Sequence, residues 1–205
     1  WTPQVRAVDT YNQVSAWDAF NSGSTIIKLD TANPQPSGDL YCNGKTIDQL
    51  IASGQYNVID NRNGQRKTLN GSNGNDLILA SKYGDVINAK KGNDCVIGGA
   101  GDDIIHGHQG DDQIYGNGGN DRIFGDSGDD KLYGGAGNDV IYGDNGNDVI
   151  NGGAGNDDIS GGNGNNTIDG SDGNDGCDDD RGRSNMRNIE RNYRNDHRDD
   201  DHGND

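Results

Sequence analysis

Aspartate recurs at an interval of nine through the middle of this chain. Asp76, Asp85, Asp94, Asp103, Asp112, Asp121, Asp130, Asp139, Asp148, Asp157 and Asp175 share one phase, and Asn166 stands at the single break. Units that repeat this strictly stack on one another, which brings the carboxylates together. At about 4.8 Å, the spacing of neighbouring strands, they repel unless a cation lies between them. Calcium suits such a place, because it takes about six to eight oxygens from carboxylates and carbonyls in loose geometry. Magnesium demands a tighter octahedron and keeps its water, while zinc and copper favour the His and Cys that these segments largely lack. A carboxylate bound to an ion is not free to act as a general acid or base, so the pattern speaks for binding rather than catalysis.

Positioning these groups falls to twelve nonamers that run from Gly71 to Asp178 without insertion or deletion. Position six carries the acid. Position eight is aliphatic in every unit but the last, where it is Cys177, and position four is Gly except at Tyr83, whose glycine has slipped to Gly84. Positions seven to nine read as a short strand with eight facing a core and seven and nine facing out. So short a strand must pair with strands of other units, which predicts an all-β parallel solenoid. Positions one to six form the turn, where glycine permits backbone angles and close stacking that a side chain forbids.

Units such as GGAGNDVIY (134–142) and GGAGDDIIH (98–106) fit the pattern G-G-x-G-x-D-x-U-x without exception. In this the chain resembles the RTX, or haemolysin-type, calcium-binding nonapeptide family. The resemblance covers about half the chain and implies a right-handed parallel β-roll, with two nonamers to a coil. It also implies rows of calcium ions between same-side turns, held by the position-six aspartates and turn carbonyls. Carried over residue by residue, the ligands are the eleven aspartates named above. Asn166 implies weaker sites, and the slipped turn ASKYGD (80–85) puts the first site on its side in doubt. Six turns per side leave room for about ten ions.

Charge agrees with this. Residues 71–178 hold twenty aspartates against five lysines or arginines, net −15 of the chain's −17, so the acid belongs to the repeat. A nucleic-acid or anionic-membrane partner calls for the opposite sign. No apolar run reaches the length of a membrane span. The chain starts at Trp1 rather than Met, which suggests a processed leader and an extracellular location. Of three cysteines, Cys42 and Cys95 are the favoured disulfide, since Cys95 faces outward where an N-terminal segment should lie. Cys177 points inward as a small core residue, and an odd count leaves one thiol free or intermolecular.

The remaining sequence divides into a small mixed N-terminal cap (1–60), the roll with degenerate end turns (61–187) and a polar tail (188–205). The stretch KTIDQLIAS (45–53) predicts a short helix capped by Thr46, with Ile47, Leu50 and Ile51 on one face and Gly54 as its stop. Residues 7–20 suggest another helix, 24–30 a strand, and the tail reads as disordered by composition. Outward positions are apolar early (Leu77, Leu79, Val86, Cys95, Ile97, Ile104), with aromatic rows Tyr115/Tyr133 and Phe124/Tyr142 further on. That patch needs a cover, either the N-terminal segment or a partner subunit.

GDSGD (125–129) resembles a protease nucleophile loop only because a repeat unit begins there, and His106 and His108 read as surface residues. The expected function is that of a secreted, non-catalytic, calcium-binding structural protein. Its rigid module is expected to self-associate into a filament, matrix or surface layer, with an extracellular surface or matrix as a possible partner. The alternatives are a non-catalytic module of a secreted enzyme and an adhesion or ice-binding module. Ice binding calls for a regular row of Thr or Asn, whereas position three here is mixed.

Overall fold

The computed structural model describes residues 41–178 and 184–192. The helix and strand expected within residues 7–30, and the tail beyond residue 192, lie outside the described residues. Two eight-stranded sheets face each other. The first holds β1 (Asn57–Asp60), β3 (Asp76–Leu79), β5 (Cys95–Gly99), β7 (Gln113–Gly118), β9 (Lys131–Ala136), β11 (Val149–Ala154), β13 (Thr167–Asp172) and β15 (Asn185–Arg187). The second holds β2 (Thr68–Asn70), β4 (Val86–Lys91), β6 (Ile104–Gln109), β8 (Arg122–Ser127), β10 (Val140–Tyr142), β12 (Asp158–Ser160), β14 (Gly176–Asp178) and β16 (Arg191–Asn192).

The chain alternates between sheets at every turn, and each pairing is parallel. Residue i sits beside residue i+18, as Ile105 beside Ile123 and Ile114 beside Leu132. This is the all-β parallel solenoid that the repeat predicts. The regular step fails only at the ends, where Asn57 pairs with Asp76 and Gly176 with Arg191. The sheets therefore run past the repeat at both ends: β1 is already part of the first sheet, and β16 lies in what the sequence assigns to the tail.

Position eight forms the interior. Ile78, Ile87, Val96, Ile105, Ile114 and Ile123 have no exposed surface, and Cys177 closes the ladder. Met186 and Ile189 pack against it partly buried, so the last coil carries the core beyond the perfect units.

A second apolar cluster covers the outer face of the first sheet. Tyr41, Cys42 and Leu50 pack on Leu77, Leu79, Cys95, Ile97 and Tyr115, and a Cys42–Cys95 disulfide ties the two parts together. The covering segment contains α1 (Ile47–Ala52), begun by a capping box between Thr46 and Gln49 that satisfies two backbone N–H groups. Leu50 faces the sheet, whereas Ile51, which helical spacing places on the same face, is 40% exposed. With only six residues, α1 presents a single row to the sheet. Residues 41–56 thus supply the cover on this side. Val86 and Ile104, on the second sheet, are only half-buried among the described residues.

Candidate metal-binding rows

The position-six aspartates line up along the two edges of the roll, in the turns between sheets. One row runs Asp76, Asp94, Asp112, Asp130, Asp148 and Asn166; the other runs Asp85, Asp103, Asp121, Asp139, Asp157 and Asp175. All twelve residues are at least 98% buried. Ladder hydrogen bonds set their orientation. The backbone N–H of Asp112 donates to Oδ1 of Asp130 at 2.7 Å, and that of Asp121 donates to Oδ1 of Asp139 at 2.8 Å. The pattern repeats at each step, so one oxygen of each carboxylate is used to knit successive coils.

The other oxygen is not used. Oδ2 of Asp94, Asp103, Asp112, Asp121, Asp130, Asp139, Asp148 and Asp157 is buried and accepts no hydrogen bond. A buried, unpaired carboxylate oxygen is among the costliest groups a fold can hold. Burial accordingly pushes these acids up: Asp94, Asp103, Asp112 and Asp157 to about 7, Asp121 and Asp130 to about 8, and Asp139 and Asp148 to about 6. The ladder N–H partly offsets the rise, and neighbouring carboxylates add to it.

Glycine at position one leaves room beside every one of these bare oxygens except that of Asp94, whose unit begins with Ala89. A Cβ built at Gly125 would lie 2.6 Å from Asp130 Oδ2 and 2.9 Å from the Gly143 carbonyl oxygen of the next coil. Carboxylate and carbonyl oxygens therefore approach one another there, with no donor between them. The donors are all oxygen, which fits a hard divalent cation and not a soft one. Among the described residues no three His, Cys, Asp or Glu side chains gather into a metal site. An ion in these rows would take backbone carbonyls for most of its remaining ligands.

Three positions depart from this pattern. Asn166 accepts the Asp148 N–H through Oδ1, which turns its amide Nδ2 into the place of the bare oxygen, where it stays buried without an acceptor. A donor there opposes a cation, a stronger effect than a missing charge. Asp76 and Asp85 have both oxygens hydrogen-bonded within the protein. At the far end the rows finish on stand-ins: Ser184 Oγ receives the Asn166 N–H, and Glu190 Oε2 receives the Asp175 N–H at 2.8 Å.

The family model for the RTX calcium-binding nonapeptide repeat matches four segments of the chain, 68–94, 80–114, 115–150 and 142–177. The chain belongs to this family. No curated protein matches it. As an RTX protein it carries a calcium-binding β-roll. Calcium bound there would supply the positive charge that Oδ2 lacks, and the residues that would hold it are the position-six aspartates, through Oδ2, with the position-one carbonyls beside them.

Sequence reasoning missed a second set of ladders, at position five. Asn93 N–H donates to Asn75 Oδ1 at 2.9 Å and Asn138 N–H to Asn120 Oδ1 at 2.8 Å, on the exposed side of the turns. Their direction is opposite to that of the aspartate ladders. The signal was present, since position five is Asn or Asp in every unit except at Gly84. It drew no notice because an exposed Asn in a turn is ordinary.

Outside the rows, the aromatic stripes form stacks. Tyr115 and Tyr133 lie 4.8 Å apart with Tyr41 edge-on to the first, and Phe124 stacks on Tyr142 at 5.1 Å. His106 extends the second stack, 4.4 Å from Phe124. His106 and His108 both turn Nδ1 towards Asp126 Oδ2, at 3.5 and 3.4 Å.

Proposed function

We propose that this chain is a secreted, non-catalytic structural module whose roll folds when calcium binds, and which associates with further copies outside the cell. The observation that carries calcium-dependent folding is the set of eight buried aspartates with a bare oxygen each. A fold that buries them without a cation is poorly compensated, and the binding energy of the metal becomes folding energy. Each site contributes about 2.7 kcal/mol when free calcium exceeds its Kd a hundredfold. Extracellular calcium modules work at about 10⁻⁴ to 10⁻³ M, and the Cys42–Cys95 disulfide fits the same oxidising surroundings.

Circular dichroism tests the folding. Chelator at pH 8 should leave little β-structure, millimolar calcium should restore it cooperatively, and magnesium should do so poorly. A spectrum already native in chelator defeats the reading.

Self-association is supported by the second sheet. Its outer face carries the His106–Phe124–Tyr142 stack with Val86 and Ile104 beside it, and Tyr142 is 37% exposed. Light scattering in millimolar calcium should find oligomers of the natural chain and monomers of a Phe124→Ser, Tyr142→Ser variant. Monomers in both remove assembly and leave a stand-alone roll. A chain cut after Arg187 is a poor test, since it loses Glu190 and β16 and so disturbs the last coil itself.

A further inference from the structure

We propose that the first turn of each row, at Asp76 and at Asp85, binds no calcium, because Ser72 and Ser81 stand where the cation would, and that this first coil is a preformed template from which calcium extends the roll. The proposal rests on the reading that the remaining aspartates take calcium.

In the first turn, Ser72 donates its backbone N–H to Asp76 Oδ2 at 2.6 Å and its hydroxyl lies 3.1 Å from the same oxygen. Asn57 Nδ2 donates to Asp76 Oδ1 at 2.7 Å. The second turn repeats this arrangement. Ser81 donates its N–H and hydroxyl to Asp85 Oδ2 at 2.9 and 2.8 Å, and Lys67 N–H reaches Oδ1 at 2.6 Å. Each serine Oγ also accepts a backbone N–H two residues on, from Gly74 or Tyr83, which fixes the turn. The slipped glycine of ASKYGD therefore leaves the second turn like the first.

Serine alone does not cause this. Position two is left-handed in all ten later turns, with φ of 86° at Lys90, 73° at His108 and 71° at Ser171. Ser72 and Ser81 are not left-handed, so their N–H groups swing in to the carboxylate. Ser171 serves as an internal control: in the left-handed turn its N–H donates to Asp169 Oδ1 and its hydroxyl accepts from Asn151 Nδ2. The strands differ at the two ends of this comparison. β2 and β3 stop at Asn70 and Leu79, whereas β4 and β6 continue through position two. Strand length does not decide it, since β10 also stops at position nine, at Tyr142, yet Asp144 after it is left-handed and Asp148 Oδ2 is bare; the left-handed residue is what goes with the bare oxygen.

Hydrogen-bond donors put partial positive charge where a metal ion would put a full one, so the first two carboxylates are compensated with no ion present. Displacing those donors would leave the buried Ser81 N–H and the part-buried Ser72 N–H without their acceptors, which disfavours calcium there. Other contacts hold the same coil. The Cys42–Cys95 disulfide and α1 clamp β3 and β5, and the Lys90 ammonium donates to the Gly71 carbonyl at 2.6 Å.

Hydrogen exchange of the full-length oxidised protein, read by mass spectrometry in chelator and then in calcium, tests this. In chelator, amides of residues 68–88 should exchange at least about tenfold more slowly than those of 113–160; in calcium both should be protected. Ser72→Ala with Ser81→Ala, which removes the hydroxyls and keeps the backbone N–H donors, should reduce the protection seen in chelator. In calcium titrations, Asp76→Asn should move the midpoint by less than about twofold and Asp112→Asn by more than about fivefold. Equal exchange of the two segments in chelator, or equal shifts for the two variants, overturns the proposal. Failure of any segment to gain protection with calcium overturns instead the calcium reading on which it rests.

Discussion

Inside the roll, Ile87, Ile105, Ile123 and Ile141 stack one above the next at an eighteen-residue step; along one edge, Asp85, Asp103, Asp121 and Asp139 stack at the same step and are equally buried. The two ladders share a geometry and differ in what burial does to them. An isoleucine gains by leaving water, whereas a carboxylate loses its hydration and, after Asp85, recovers one hydrogen bond to Oδ1 and none to Oδ2. Two interior aliphatics per coil are thin compensation for ordering so glycine-rich a chain. The interior can specify the stacking, but it is the edges that decide whether the stack persists, and they answer to the solvent.

Changing the edges without touching the interior gives the largest effect. Without calcium, Asp121 and Asp130 hold protons up to about pH 8 when folded, against 3.8 for the ordinary group. Folding thus takes up protons between those limits. The stability of the calcium-free roll should be fullest below about pH 4 and fall as pH rises to about 8. Circular dichroism in chelator should show β-structure at pH 5 and its loss by pH 8. In excess calcium the order reverses, because protons compete with the ion. A calcium-free fold insensitive to pH would erase the distinction between the ladders.

Cutting into the interior should cost less and be blind to conditions. Ile123→Ala removes a side chain with no exposed surface and should destabilise the calcium-loaded roll by about 2–4 kcal/mol in denaturant titrations, with little change in the calcium midpoint. Asp121→Ala should do the converse and move the calcium midpoint several-fold upward. The smallest effect, of opposite sign, is expected from Asn166→Asp. It replaces a buried amide donor by a carboxylate oxygen and should lower the midpoint slightly; a rise would mean that position six does not carry the ligation.

Much of this was legible in the residues. Position eight, aliphatic in every unit but the last, leaves the inward face no freedom, so the core and the parallel pairing follow from spacing alone. The Cys42–Cys95 pair was legible too, since Cys95 had to face out. What escaped depended on neighbours rather than on the repeat. Ser72, Ser81 and Ser171 share a position in the unit, and the backbone is left-handed at the last alone, which no residue type announces. Glu190 reaches Asp175 across fifteen residues instead of eighteen, so no period could have found it. Ile51 turned outward because a six-residue helix has too few turns to bury a second row.

The Cys42–Cys95 bridge also has a mechanical meaning. It spans 53 residues, and β1 to β4 lie within that loop. A chain pulled from its two ends transmits force across the bridge, so these strands bear none of the tension. About 180 Å of contour stays stored while the bridge is intact. Calcium sets how firmly the later coils resist extension, and the thiol redox state sets how much chain there is to extend.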